Sequence, residues 1–334
     1  NLVAPMEEMD DRINRAWSPV SHMNSVVNTD ELRDAYNTCL PLLSEYGTEL
    51  GQHEGLYRAF RQIADGGEYK QLDTAQQKVI DNALRDFRLS GIELPQAERD
   101  RYKEIMQQLS KLSSAYSDNV LDATNAWHRQ VTDESLLAGL PESARSLAKQ
   151  TAGQRDMDGW VFNLEFPSFH AVMTYADDRA LREEVYTAFV TRASDQGPHA
   201  GQWNNADNME QIVALRHEAA RLLDFSTYAE RSLATKMAES TDQVMQFLED
   251  LAGRSRPAAV SELDDVRSFA ADTHGIDNLQ AWDIGYYSEK LRQDRYAISQ
   301  EELKPYFPEP RVVSGLFSIV ERLYGLKVEQ VEGV

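Results

Sequence analysis

One long amphipathic segment constrains this chain more than any other feature. After Pro95, apolar residues recur at steps of three and four up to about Trp127, namely Tyr102, Ile105, Leu109, Leu112, Tyr116 and Val120. That period predicts one α-helix, the longest of the chain, with a continuous apolar stripe that needs a partner helix. Thr74–Leu89 has the same period and ends near Gly91, a typical helix-ending residue. The short link between the two segments predicts an antiparallel helical hairpin.

The rest of the chain alternates helical segments with one weaker stretch. Residues 178–193 carry an apolar residue at every fourth position, whereas residues 194–205 are rich in Gly, Pro and Asn and predict an exposed loop. Trp160, Phe162 and Leu164 stand at every second position, which predicts a short strand. We therefore expect a mostly α fold, a multi-helix lobe with a long antiparallel helical hairpin and little strand.

Capping residues indicate where further helices begin and end. Asp207 and Ser240 each stand three residues before a Glu or Gln, which is the spacing of a capping box. Pro257 is expected to kink or restart the helix that Ser240 opens, because proline lacks the backbone N–H of a helix interior. A final helix is predicted near the carboxyl end of the sequence, closed by Gly325.

Composition limits the compartment and the partners. Apolar residues make up 42% of the 334, enough for a sizeable core, and the formal net charge of −21 argues against nucleic acid and anionic membrane surfaces as partners. That charge either keeps the protein soluble or attracts cationic peptides. The single cysteine, Cys39, cannot form an internal disulfide, which fits a reducing, cytoplasmic compartment. No apolar stretch approaches the roughly 20 residues of a membrane helix.

Both ends of the sequence indicate a cut through a longer protein. The start, Asn1-Leu2-Val3-Ala4-Pro5, has neither an initiator methionine nor the pattern of a signal peptide. The end, Val331-Glu332-Gly333-Val334, has no helix stop and no polar tail. We therefore expect a truncated chain, whether by design or by proteolysis.

Two segments nearly match the zinc-protease motif His-Glu-x-x-His, in which two imidazoles one helical turn apart bind the metal and the glutamate serves as general base. The segment from His53 fails at Tyr57, and the segment from His217 fails at Arg221, a cation that cannot bind zinc. The alternative is that His217 and Glu218 lie on the solvated face of their helix, and we favour it. The sequence therefore predicts no metal ligand and no catalytic residue in this chain.

Other residues with reactive side chains give weaker indications. Cys39 is expected to be a buried small hydrophobic residue rather than a nucleophile. No further histidine has a second one four residues away, which applies to His22, His128, His170, His199 and His274. Asp283 with Tyr286 and Tyr287 is a more distinctive cluster. It forms either the wall of a cleft or a packing contact around an N-cap aspartate, and the sequence does not choose between them.

Several short segments recur in the order and spacing of one protein family. They are Asp178–Arg182, Tyr186, Phe189, Arg192-Ala193, Ile212–Arg216, Ala219–Phe225, Tyr228-Ala229, Lys236–Ala238, Trp282–Tyr287, Tyr306–Pro308, Gly315–Phe317 and Leu323–Leu326. Through them the chain resembles the thimet-type zinc oligopeptidases, most strongly over residues 178–334. The resemblance implies that only about the first half of such a protein is present.

The resemblance carries further implications. Family members are nearly all helical, have two lobes around a deep channel, occur in the cytosol or in organelles, and cut short peptides. They hold zinc through His-Glu-x-x-His and a later glutamate, which by resemblance lie beyond Val334. Residues 1–165 would then be an amino-terminal helical region, and residues 166–334 the start of the peptidase domain.

Two functions remain open at this point. The first is the amino-terminal half of a zinc oligopeptidase, which forms one wall of the substrate channel and has the missing catalytic half as its partner. The second is a non-catalytic helical scaffold that binds other proteins. The sequence that follows Val334 would distinguish them.

Overall fold

The computed structural model describes residues 3–297 and 300–332. The sequence interpretation of the two chain ends rests partly on Asn1, Leu2, Gly333 and Val334, which lie outside the described residues. The predicted mostly α fold is confirmed. The α-helices are α1 Val3–Val26, α2 Asp30–Gly51, α3 Glu54–Asp65, α4 Thr74–Leu89, α5 Gln96–Ala126, α6 Glu142–Gln154, α7 Phe166–Tyr175, α8 Arg179–Val190, α9 Ala206–Leu222, α10 Tyr228–Leu233, α11 Thr241–His274, α12 Ala281–Tyr296, α13 Gln300–Leu303 and α14 Glu309–Tyr324.

A two-stranded antiparallel sheet interrupts the helices. Strand β1, His128–Val131, pairs with β2, Trp160–Asn163, and Val131 stands opposite Trp160. The predicted strand is confirmed over residues 160–163. Its partner β1 was not predicted, because His-Arg-Gln-Val lacks the alternation of apolar and polar residues that marks a half-buried strand.

Helix α4 has the predicted bounds and the predicted type of ending. Gly91 has a φ of +85°, its N–H donates to the carbonyl of Arg88, and the N–H of Ile92 reaches back to the carbonyl of Phe87. This is a Schellman ending, in which glycine takes the left-handed conformation and the next residue adds an apolar contact. Ile92 is buried in the same cluster as Phe87, so the chain turns sharply before α5 begins.

The stripe on α5 is buried at one end only, and its partner differs from the predicted one. Ile105 is fully buried and packs with Tyr102 and with Ala219 of α9, whereas Tyr116 is exposed. Helix α4 instead packs against α3, in the cluster that contains Phe60 and Phe87. The sequence suggested α4 as the partner because it precedes α5, but the complementary apolar face belongs to a helix about 100 residues further along.

Helix α11, and not α5, is the longest helix in the described part of the chain. It runs without interruption from Thr241 to His274, with Pro257 inside it. The helix therefore does not restart at Pro257, and the alternative of a kink there stays a prediction. The surroundings of Pro257 are exposed, so water can bind the carbonyl of Gly253 that proline leaves without a helical donor.

The amino-terminal end of α9 also differs from the prediction. The helix begins at Ala206, so Asn205 is the capping residue and Asp207 lies inside the first turn. Asn205 is buried, donates to the carbonyl of Tyr116 and accepts from the amide of Asn119. The Ser240 cap is confirmed, since its hydroxyl accepts from the backbone N–H three residues later.

The chain divides into two compact units, each built from two stretches of sequence. The first takes the described parts of Asn1–Ala123 and Arg192–Gly253, and the second those of Thr124–Thr191 and Arg254–Val334. The core of the second unit lies where β1 and β2 meet α6, α7 and α8. The domain boundary predicted at residue 165 stays a prediction. Among the described residues, no helix is both long and apolar enough to cross a membrane.

Candidate functional site

The closer of the two zinc-motif segments lies on α9, in the first unit. His217 is exposed, and the carboxylate of Glu218 accepts two N–H groups of Arg101, from Nε at 2.6 Å and from a terminal nitrogen at 2.8 Å. These hydrogen bonds lower the pKa of the Glu218 carboxyl. A bidentate arginine contact of this kind is strong and directional. Glu218 is therefore occupied as an ion-pair partner of α5.

The other segment lies at the start of α3. His53 is the N-cap, and its Nδ1 accepts from the backbone N–H of Leu56 at 3.1 Å. Glu54 pairs with Arg99 at 3.0 Å, and the hydroxyl of Tyr57 donates to a carboxylate in the link before α5. Capping and ion pairing account for the polar groups of this segment, so its residues do not fit a zinc site.

No cluster with the composition of a metal site occurs among residues 3–297 and 300–332, where three or more His, Cys, Asp or Glu side chains would have to converge. Cys39, expected to be buried, is exposed. Whether a lone cysteine on α2 is covered depends on which residues pack against that part of the helix, which the sequence alone could not reveal.

Arg221→His tests whether the α9 segment is a degenerate metal site. We expect at most weak zinc binding, because a tetrahedral site needs at least three protein ligands and Glu218 is held by Arg101. A calorimetric zinc titration measures this, with Arg221→Gln as the matched control that removes the same positive charge. One zinc per chain that resists a mild chelator in Arg221→His alone would contradict the interpretation.

The Asp283 cluster is the most highly connected polar site of the second unit. Asp283 stands in the first turn of α12 and is fully buried, and its carboxylate accepts from Arg179 at 2.7 Å, from Arg182 at 2.8 Å and from the N–H of Gln280 at 3.0 Å. Burial alone would raise the pKa of Asp283, but the two arginines and the backbone donor outweigh it, and the pKa lies below its usual value.

The arginines of this cluster are themselves held in place. Arg182 is 1% exposed, donates to the carbonyl of Ala176 at 2.7 Å, and lies 4.1 Å from the ring centre of Tyr286. The hydroxyl of Tyr286 donates to Asp177. The pKa of this phenol is raised, mainly because the side chain is buried and in second place because of this hydrogen bond.

Of the two alternatives for Asp283, the structure supports helix packing over a cleft wall. The buried carboxylate of Asp283 connects α8 to α12. The N-cap of α12 is Gln280, and Asp283 is the third residue of the helix that follows it. The sequence marked Asp283 but missed the roles of Arg179 and Arg182. Their spacing of three, which places both on one face of α8, was the available signal.

One apolar helix face of the second unit has no covering element among the described residues. None of the α14 residues is buried. Four apolar side chains, spaced by four, three and four residues, form what we call the α14 stripe. They are Val312, Leu316, Ile319 and Leu323, which are 50%, 54%, 57% and 67% exposed. Contiguous apolar surface of this kind marks an interaction site.

Two parts of the chain match the sequence models of known protein families. Residues 172–334 match the description "Peptidase family M3", and residues 1–99 match "Neurolysin/Thimet oligopeptidase, N-terminal domain". The chain is thus similar to peptidase family M3 over 163 of its 334 residues. The resemblance stated from the sequence is thereby confirmed, and the M3 relatives are metallopeptidases.

Curated M3 relatives match the chain from end to end. Oligopeptidase A of Escherichia coli (strain K12) is 56% identical over 99% of this chain, and that of Haemophilus influenzae is 52% identical over all of it. A probable cytosolic oligopeptidase A of Arabidopsis thaliana is 38% identical over the whole chain. The matched regions make up 48%, 49% and 48% of these proteins, so the chain spans about half the length of its relatives.

Proposed function

We propose that this chain is the amino-terminal half of a zinc-dependent oligopeptidase, a metalloendopeptidase that hydrolyses short peptides. The observation that carries the proposal is the match to proteins named oligopeptidase A over 99% of the chain but only 48% of the relative. Zinc and the catalytic residues then belong to the part of the protein that follows. The name of the Arabidopsis relative, a probable cytosolic protein, supports a cytoplasmic location.

In this proposal the chain forms one wall of the substrate channel and binds the catalytic half. The α14 stripe supports the second role, because a row of exposed apolar side chains along one helix indicates a covering partner. A net charge of −21 supports peptides as ligands, whereas it would repel nucleic acid.

A chimera tests the proposal directly. The chain would be continued with the Escherichia coli oligopeptidase A sequence that follows the matched region, and a quenched fluorescent peptide would report cleavage. We expect chelator-sensitive hydrolysis by the chimera, and neither hydrolysis nor stoichiometric zinc in the chain alone. Chelator-sensitive cleavage by the isolated chain would contradict the division of roles.

The same chimera also tests whether the α14 stripe contacts the catalytic half. Leu316→Glu combined with Ile319→Glu should lower the melting temperature and the activity of the chimera while leaving the isolated chain as stable as before, because both side chains are exposed there. Ser314→Glu, about 160° around the helix from Leu316 at ~100° per residue, is the matched control. A chimera that tolerates the double variant would favour the alternative function, a scaffold that uses this stripe for other proteins.

A further inference from the structure

The first unit contains a cavity with a positively charged lining. It has a volume of about 480 Å³, is open to solvent on one side and is lined mainly by residues of α2, α5, α9 and α10. Two arginines line it, Arg216 from α9 and Arg231 from α10, together with several hydroxyl groups and a few apolar side chains. The cavity borders the α9 zinc-motif segment, because Ala219 of that segment lines it, but His217, Glu218 and Arg221 do not.

The charge of the cavity is opposite to that of the protein. The chain has 55 acidic against 34 basic side chains, yet no Asp or Glu is among the described residues that line this cavity. Other cations of the same unit have carboxylate partners, such as Arg33 with Asp122 and Arg101 with Glu218. Arg216 and Arg231 have no such partner in the described part of the chain. Two half-buried cations without a counter-charge are costly in a folded protein.

Most of the donor groups of Arg231 have no acceptor among the described residues. One terminal nitrogen donates to the hydroxyl of Tyr102 at 2.6 Å, and that hydroxyl is oriented by its own donation to the carbonyl of Leu89. The Nε of Arg231 is buried without a hydrogen-bond acceptor among the described residues. A guanidinium has five N–H donors, and a buried donor without a hydrogen-bond acceptor costs free energy.

Both guanidinium groups also lie over one aromatic ring. The central carbon of Arg216 is 5.0 Å from the ring centre of Tyr228, and that of Arg231 is 5.9 Å from it. Cation–π contacts stabilise each arginine, but they provide no acceptor for its N–H groups and do not cancel the repulsion between two like charges. A bound anion would supply the missing acceptors and the missing charge together.

We propose that this cavity, the Arg216–Arg231 pocket, binds a small oxyanion, a carboxylate or a phosphate. Arginine matches such groups through paired N–H donors. The hydroxyls of Ser44 and Ser110, half-buried in the lining and without hydrogen bonds to described residues, would add donors. Leu109 and its apolar neighbours leave room for a short hydrocarbon portion of the ligand.

Thermal unfolding and calorimetric titration of the intact chain test the proposal with two probes, sodium phosphate and sodium acetate, each compared with sodium chloride at equal ionic strength. At least one probe should raise the melting temperature with a saturating concentration dependence. The probe that binds more tightly distinguishes a phosphate from a carboxylate site. If neither anion stabilises the chain beyond chloride, the pocket is not an oxyanion site.

Two variants separate the pocket from general salt effects. Arg216→Gln should weaken binding by about tenfold or more, since it removes one charged donor pair. Arg221→Gln, which removes an exposed arginine of the same helix, should bind as the parent chain does. If circular dichroism shows that Arg216→Gln does not fold, Arg216→Lys replaces it, because lysine keeps the charge and loses the paired donors. Parent-like affinity in the folded Arg216 variant would overturn the proposal.

Discussion

Asp283→Ala is expected to lower the free energy of unfolding by about 3–5 kcal/mol, the usual cost of removing one partner from a buried ion pair. The cost is high because Arg182, at 1% exposure, would keep a buried positive charge without its counter-charge. Urea-induced unfolding, followed by circular dichroism, measures it. Asp264→Ala is the matched control in the same unit, since Asp264 pairs with Arg267 at the surface with 61% of its side chain exposed. That control should change stability by less than about 1 kcal/mol.

The same carboxylate predicts a pH dependence. Because the folded pKa of Asp283 lies below its unfolded value of about 3.9, its ionised form stabilises the fold above that value, and the stabilisation is lost as pH falls through the folded pKa. The difference in melting temperature between the parent chain and Asp283→Asn should be constant from about pH 7 to pH 5 and shrink below about pH 4. A difference that grows as pH falls in this range would show that the carboxyl is protonated in the fold.

Ile105→Ala is the second large effect, with an expected loss of about 2–5 kcal/mol. Ile105 is completely buried between α5 and α9, so its truncation removes apolar contacts and leaves a cavity beside Ala219. Lys111→Ala, on the exposed side of the same helix, should change the free energy of unfolding by no more than about 0.5 kcal/mol. Equal midpoints for the Ile105 and Lys111 variants would mean that this end of the α5 stripe is not part of a core.

Local signals predicted local structure accurately. The bounds of α4, the Schellman ending at Gly91 and the left-handed cap at Gly325 all follow from residues within one turn of the feature. Pro257 shows the limit of such rules, because an exposed helix tolerates a proline that a packed one would reject. The burial of Ile105 was predictable from its period, but the identity of its partner helix was not.

For the candidate sites, too, the sequence predicted local features but not the contacts between distant residues. The sequence could reject both zinc-motif segments from the residue at the fifth position, Tyr57 or Arg221. It could not show that Arg101 occupies Glu218, or that Arg179 reaches Asp283 across 104 residues, since neither contact leaves a trace in sequence spacing. The Arg216–Arg231 pocket needed the structure for the same reason, because its lining comes from four helices and from Ser90.

The way each unit is assembled from two stretches of sequence has a consequence for synthesis on the ribosome. Ile105 leaves the exit tunnel well before Ala219, its packing partner from α9, has been translated. At about 5–20 residues per second, the apolar end of α5 stays uncovered for roughly 5–20 seconds. The first unit therefore cannot complete its core before α9 emerges, and nascent chains of intermediate length should bind the hydrophobic-specific chaperones that meet polypeptides at the tunnel exit.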